Sequence, residues 1–434
     1  MRANAGRTRA HAGNGAGGRI SGAAPNGWPG RYCRDNGGVT SATVPLHPAC
    51  SKGAFDLGVI GAGLTFAESL GALADALRAG GAGASAVVQA PPGTGKTTLA
   101  KHFAEHVDGD VLFAAFTGKA AQVLRSRGAR NAKTIHSLIY RPRGEEEVEN
   151  EETGKTSVSP MFSINRQSPL TKAALIVIDE CSMVDEQLGR DLLSFGTPVL
   201  VLGDPGQLPP VTGGGFFTEQ EPDYLLTDIH RQAQDNPIIQ LAMTVREGKE
   251  IMHGDYGKAK VISRNEVTQE LVMEADQVLV GTNRTRKRYN QRLRELKGFT
   301  ADYPQSGDKL VCLRNDQVKG LLNGSLWQVM SSSRETVKPG INLMIRPEDD
   351  DMDRGAAKIK LLKTAFESDE EIPWSTRKRY DEFDYGYALT VHKAQGSQWQ
   401  NVVLFDESFA FRDTRERWLY TAITRAAETL TIVR

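Results

Sequence analysis

No run of apolar residues in this chain is long enough to cross a bilayer, which argues against a membrane-spanning helix. Cysteine is scarce. Cys33, Cys50, Cys181 and Cys312 are scattered and form no CxxC pair, so reduced, intracellular thiols are expected instead of a disulfide framework. Cys33, His47 and Cys50 lack both a fourth ligand and the spacing of a metal site. Net charge is missing as well, because 53 Lys and Arg balance 53 Asp and Glu. A nucleic-acid partner would therefore need a local basic cleft, since the molecule as a whole exerts no long-range pull. No internal repeat is evident. From Met1 to about Ser51 the chain is dominated by Gly, Ala, Arg, Asn and Pro, with no acidic residue before Asp35. Such a segment cannot bury enough apolar surface to offset its ordering entropy, and its glycines make a poor amphipathic transit helix. The expectation for residues 1–54 is a disordered tail, or a translated stretch ahead of the true start.

What is present is organised around Val87 to Thr98. A short apolar run, Ala86 to Val88, reads as a buried strand that enters a Gly- and Pro-rich loop, and a helix begins near Lys96. That is the context in which a P-loop works. The backbone N–H groups of Gly93 to Thr97 can converge on phosphate oxygens at the positive end of a helix. Pro92, Gly93, Thr94, Gly95, Lys96, Thr97 and Thr98 form the candidate nucleotide cradle. Lys96 would reach the β- and γ-phosphates of ATP, and the Thr97 hydroxyl would hold Mg²⁺. Ala90 stands where the pattern usually has its first Gly. A chance match to a surface turn is the alternative that the later motifs must argue against.

With 434 residues, two or three domains are expected. Before the P-loop, Thr65 and Glu68 read as a capping box for a helix that ends at Gly80-Gly81. After it, Val111–Ala115, Leu175–Ile178 and Val199–Leu202 read as further strands. Unbroken apolar strands that each deliver polar residues at the C-terminal end indicate a parallel sheet covered on both faces, with ligands at that edge. Asp179 and Glu180 follow the third strand: Asp179 can bind the Mg²⁺ shell, and Glu180 can position and deprotonate the attacking water. A solvated Asp-Glu pair at a strand end is the bland alternative. A second sheet is signalled by Gln277–Val280, Asn401–Phe405 and Leu430–Val433, with the boundary near Pro222 to Leu226. Two insertions interrupt the pattern. Residues 141–169 carry an acidic run, Glu145 to Glu152, with a turn at Thr153-Gly154, and read as a hairpin. About 307–382 carry alternating strands, among them Lys309–Leu313 and Leu326–Met330 around Asn323-Gly324, and read as a small β-barrel. The Asp349 to Asp353 cluster inside it reads as a solvated loop.

The order of APPGTGKT, FTGKAA, TIHSL, IDECSMVD, GDPGQLPPV, IHRQ, GYALTVHKAQGSQW and YTAITRA resembles superfamily 1 helicases of the RecD/Dda-like, 5′-to-3′ branch. The resemblance extends from about Thr65 to the C-terminus. It implies an α/β protein of two RecA-like parallel-sheet domains, 55–224 and 225–434, with a pin hairpin inserted in the first and a small β-barrel in the second. It implies ATP between the domains and single-stranded DNA across them. Gln207 is then the γ-phosphate sensor, and Arg231 and Arg425 are arginine fingers, with a surface ion pair as the alternative for either arginine. Gly396 is grouped with the nucleotide-binding residues. Thr117, Lys119, Thr134, His136 and Ser137 fit the strand-contacting loops of the first domain, and Thr390, His392 and Lys393 those of the second. Phe116, Pro210 and Trp399 are candidates to support bases; core packing is the alternative for the aromatic pair. The family often has a Gln ahead of the P-loop for adenine, and here Leu64-Thr65 is followed by Phe66-Ala67-Glu68. Implied partners are single-stranded and tailed duplex DNA and replication or recombination proteins, with a monomeric, cytoplasmic protein and no membrane. An RNA helicase, or a nucleic-acid-binding scaffold that does not unwind, remains the competing reading.

Overall fold

The computed structural model describes two dipeptide strands, Thr43–Val44 and Phe55–Asp56, and then residues 85–434, apart from 92–93, 95, 106, 151–154, 211–212, 220–221, 226–234, 317, 335–338, 349–354 and 368–371. The tail, the capping-box helix, the Thr153-Gly154 turn, the Asp349 to Asp353 cluster and Arg231 fall largely or wholly outside these residues.

In the first lobe, β1 (Ser85–Gln89) leads to α1 (Lys96–Glu105), β2 (Val111–Ala115) to α2 (Gly118–Ser126), and β3 (Lys133–Thr134) to α3 (Ile135–Ile139). The chain then makes the antiparallel pair β4 (Tyr140–Asn150) and β5 (Lys155–Ile164). It returns through β6 (Leu175–Asp179), α4 (Glu186–Leu193), β7 (Val199–Gly203) and β8 (Tyr224–Leu225). The sheet order is β8-β1-β7-β6-β2-β3, and every pairing is parallel. Its central strands are buried on both faces, as their uninterrupted apolar sequences require. One apolar cluster holds Phe103, Leu124 and Val177, and another holds Ile139, Leu188 and Phe217.

The second lobe opens on α5 (Pro237–Arg246), started by Asn236, whose side chain accepts the Ile238 N–H at 2.9 Å. Its sheet comprises β9 (Gly254–Asp255), β10 (Ala259–Ile262), β11 (Gln277–Val280) and, late in the chain, β17 (Ala388–Thr390), β18 (Trp399–Phe405) and β19 (Ala426–Val433). The order is β9-β10-β19-β18-β11-β17, parallel except at β9. Helix α6 (Asn283–Leu296) follows β11, and α7 (Arg415–Ile423) precedes β19.

Between α6 and β17 lies a five-stranded antiparallel sheet: β12 (Lys309–Cys312), β13 (Leu326–Arg334), β14 (Gly340–Pro347), β15 (Ala357–Leu362) and β16 (Phe383–Tyr385), ordered β15-β14-β13-β12-β16. The end strands do not form a ladder with each other, so the sheet differs from a fully closed barrel. Asp381 draws the ends together: its N–H donates to the Lys360 carbonyl, and its Oδ2 accepts the Lys360 N–H, both at 2.8 Å. Among the described residues no helix is long and apolar enough to cross a membrane.

Candidate active site

The P-loop strand β1 sits inside its sheet between β7 and β8, so its C-terminal end opens beside that of β7, with β6 next in order. Within the loop, Thr94 is buried and its hydroxyl donates to the Pro91 carbonyl at 2.8 Å. Lys96 Nζ donates to the Ala90 carbonyl at 2.7 Å, so the ammonium lies folded over the loop it would share with phosphates. Pro92, Gly93 and Gly95 and the Thr97 side chain are outside the described residues; Thr98 is exposed on α1.

Asp179 ends β6 and is buried. Its Oδ1 accepts the Glu180 N–H at 2.9 Å. Glu180 has φ 54° and ψ 49°, and among the described residues it is the one non-glycine residue with positive φ. A β-carbon in that region costs about 1–3 kcal/mol, and such strain persists where the surroundings hold a functional side chain in place. Glu180 precedes the short helix Cys181–Met183 yet makes no capping bond with its side chain, so the carboxylate is not committed to its own backbone. Cys181 packs beneath it, and a β-carbon on Gly203 would lie 2.2 Å from its sulfur; the Gly at the end of β7 is what admits the thiol. Burial, then the charges of Asp179 and Glu180, push that thiol far above its ordinary pKa, so it is an inert packing group.

From β7 the chain enters the Asp204 to Leu208 loop. Gln207 is 5% exposed, and its Oε1 is buried without a hydrogen-bond partner among the described residues. Arg425 comes from the far end of α7 and is 4% exposed. Its guanidinium donates to the Thr421 and Ser397 carbonyls and to the Thr424 hydroxyl, at 3.0, 3.2 and 3.1 Å. Burial lowers its pKa, while the carboxylates of Glu180 and Asp204 act to raise it, so the cation lies within reach of the acidic edge of the first lobe. Gly396, grouped above with the nucleotide-binding residues, meets the start of α2. Its φ is +77°, and an added β-carbon would meet Thr117 Oγ1 at 2.8 Å and Ala120 at 3.2 Å. It is a close-approach point between the lobes, where any side chain would push α2 away.

The strand candidates fall at helix starts and on one turn. Thr117 caps α2 and Thr134 caps α3, their hydroxyls accepting the Ala120 and Ser137 N–H groups at 3.1 and 3.3 Å. Each hydroxyl retains a proton that can be donated to phosphate. Ser137 Oγ donates to the Thr134 carbonyl at 2.8 Å. Lys119 is half-buried on α2. Phe116 is half-buried against the first-lobe core, with the His136 ring 5.6 Å away edge-on; Tyr140 and exposed Phe162 continue that row. Desolvation lowers the pKa of His136, opposed by Asp185. Pro210 is half-buried at the end of the Gln207 loop. In the second lobe Thr390 is buried and its Oγ1 accepts the Lys393 N–H at 3.4 Å, and His392 lies 5.3 Å from Phe411. Trp399 starts β18, packs against the second-lobe core, and its backbone N–H donates to the Arg425 carbonyl at 3.0 Å; the side-chain contacts described for it are core contacts.

Mg²⁺ fits the donors at this edge. Among the described residues no three His, Cys, Asp or Glu side chains are gathered to cage a metal. Mg²⁺ characteristically takes one or two protein oxygens and completes its shell with phosphate and water, and Asp179 supplies a hard oxygen of that kind. Tyr420 and Gln395 lie within quoted motifs but received no role from sequence, because the bonds that join them to Asp204 and Leu208 span 216 and 187 positions.

The comparisons agree with this geometry. A family model described as an AAA domain matches residues 72–266, and one described as a UvrD-like helicase C-terminal domain matches residues 385–433. The ATP-dependent RecD2 DNA helicase of Deinococcus radiodurans is 28% identical over 375 residues, which are 79% of this chain and 46% of that protein. The conjugal transfer protein TraA of Rhizobium radiobacter is 23% identical over 389 residues, 80% of this chain and 30% of that one. The chain thus spans less than half the length of these curated relatives. Among solved structures, Pif1 helicase from Candida albicans superposes with a TM-score of 0.51 at 16% identity, covering 86% of this chain and 95% of that one. Pif1 helicase from Bacteroides, in complex with ADP-AlF3 and ssDNA, gives 0.50 at 18% identity, covering 85% and 92%. By its motifs and its two family-model matches the chain is similar to superfamily 1 helicases, the RecD2 DNA helicase among them, and the Pif1 structures share its fold.

Proposed function

We propose that this protein is an ATP-dependent DNA helicase that moves 5′ to 3′ along a single strand and separates duplex ahead of it. The observation that carries the reading is the joining of two lobes at the hydrolytic parts: Lys96, Asp179, Glu180 and Gln207 lie at the edge of one sheet, and Tyr420 and Thr421, just ahead of buried Arg425 in the other lobe, bond Asp204 and Leu208 in the loop of Gln207. A γ-phosphate gaining charge in the transition state is matched by a planar, permanently charged guanidinium. Because the two sets belong to different lobes, turnover favours closure, and closure displaces Thr117 and Thr134 relative to Thr390 and Lys393 along a bound strand. Mg²⁺, bound with ATP through Asp179 and Thr97, would neutralise phosphate charge. Arg231 joins Arg425 as the second finger in this reading. In this reading the 140–164 hairpin is the pin and the 309–385 insertion the small barrel.

The test is an ATP-driven unwinding panel of 5′-tailed and 3′-tailed DNA and RNA duplexes. Separation of 5′-tailed DNA alone is expected, with Lys96→Ala inactive. Unwinding confined to 3′ tails would overturn the polarity, stimulation by RNA alone would overturn the choice of sugar, and unwinding that survives Lys96→Ala would overturn the motor itself.

A further inference from the structure

The loop that carries Gln207 belongs to the first lobe by sequence, yet the second lobe grips it on both sides. Leu208 is buried within the second lobe's apolar core. Its N–H donates to Thr421 Oγ1 at 2.9 Å, and its carbonyl accepts from Gln395 Nε2 at 3.0 Å. On the other flank, the Tyr420 hydroxyl donates to Asp204 Oδ2 at 2.6 Å, while Asp204 Oδ1 accepts the Gly206 N–H at 3.0 Å. A β-carbon on Gly206 would lie 2.9 Å from the Tyr420 ring, so the loop and the ring are in full contact. Gln207 therefore sits on a backbone fixed at positions 204, 206 and 208 by side chains that the other lobe controls.

Gln395 differs from Tyr420 and Thr421 in where it comes from. It lies on the turn after β17, three residues beyond His392 and two beyond Lys393, and it is 4% exposed. The turn is compact: the Ala394 N–H donates to the Thr390 carbonyl at 3.0 Å, and Gly396 abuts Thr117. One short segment thus carries His392 and Lys393, proposed above to hold the strand, and turns Gln395 to the loop of Gln207.

We propose that Gln395 is a positioning residue that makes ATP turnover depend on the bound strand, by holding the Leu208 carbonyl and so the orientation of Gln207. Phosphates gripped at Thr390, His392 and Lys393 fix the turn. The fixed turn holds the Gln395 amide on Leu208, and Gln207 then stays aimed at the γ-phosphate. The inference rests on the helicase reading above and deepens it.

The test is steady-state ATPase of the full chain with and without oligodeoxythymidylate. Gln395→Met keeps the length of the side chain and removes the donor. Loss of one hydrogen bond of this kind should lower the strand-stimulated kcat about five- to tenfold. The strand-free rate, the KM for ATP and the affinity for oligodeoxythymidylate should each change less than about threefold on the same scale. Undiminished stimulation overturns the proposal, and so does a matched fall of stimulated and strand-free rates, which would mark a merely structural role. If the variant does not fold, hydrogen exchange of the wild-type protein decides: oligodeoxythymidylate without nucleotide should slow exchange at Gly206 to Leu208, and unchanged exchange there overturns the proposal. Wild-type turnover indifferent to the strand would instead overturn the helicase reading, and this inference with it.

Discussion

At the scale of single residues, Glu180 joins strain to chemistry. Its backbone is left-handed, and its side chain makes no capping bond to the Cys181–Met183 helix that it precedes. Glycine would hold that conformation without a β-carbon penalty. Glu180→Gly is therefore expected to stabilise the fold by about 1 kcal/mol while abolishing turnover. Glu180→Gln should keep nucleotide affinity and lose about 10²–10⁴ in kcat, because the amide cannot take a proton from water. Thermal melting and ATPase assays on the two variants check this; a Glu180→Gln enzyme with near-normal turnover would remove Glu180 from the base role. His392 gives a pH dependence. Burial lowers its pKa below the ordinary 6.5, so the unfolded chain binds the proton more readily than the fold does. The stability tied to the neutral ring is complete above the unfolded value and is lost as pH falls through the native one. Melting temperature should thus drop between about pH 7.5 and about pH 5.5, and His392→Gln should flatten part of that limb, the rest belonging to His136, whose pKa burial also lowers.

At the scale of elements, helix α6 shows where sequence reading stops. The apolar strands β1, β2, β6, β7 and β11 are legible because a strand buried on both faces must be apolar throughout, and the sequence pattern locates each to within a residue or two. The P-loop and the Asp179-Glu180 pair are legible because their chemistry depends on local spacing. Helix α6 buries Arg286, Asn290 and Arg294, a polar face that no apolar periodicity announces. Arg294 bonds both oxygens of Asp308, at 2.9 and 3.0 Å, and Tyr387 and the Gln305 N–H complete that carboxylate at 3.0 and 2.8 Å. Asn290 pairs with the backbone of Ala388 through both halves of its amide. These contacts tie the five-stranded insertion to the second sheet, and Tyr387 and Ala388 lie 79 and 98 positions from their partners, too far apart in sequence to signal one another. Arg294→Met leaves the Asp308 charge buried and half-satisfied, which should cost about 3–5 kcal/mol in urea unfolding. A loss below about 1 kcal/mol would mean that Tyr387 and Gln305 satisfy Asp308 unaided.

At the scale of the whole molecule, the balance of 53 cationic against 53 anionic residues constrains how a strand can be held. Of the residues proposed to touch it, Thr117, Thr134, Ser137 and Thr390 are neutral hydroxyls, His136 and His392 have lowered pKa values, and Lys119 and Lys393 are the lysines. Neutral donors bind phosphate without releasing a condensed counterion, whereas each lysine releases about one. Two lysines predict a slope of log affinity against log salt of only about −1.4 for single strands. Lys393→Gln should remove about half of that slope, and uniformly across base sequences, because phosphate contacts carry no sequence information. Binding isotherms to oligodeoxythymidylate across a salt series measure both numbers. A wild-type slope steeper than about −4 would demand several more cations at the strand and would move the interface away from the two helix starts and the β17 turn, onto a basic face such as the exposed side of α6.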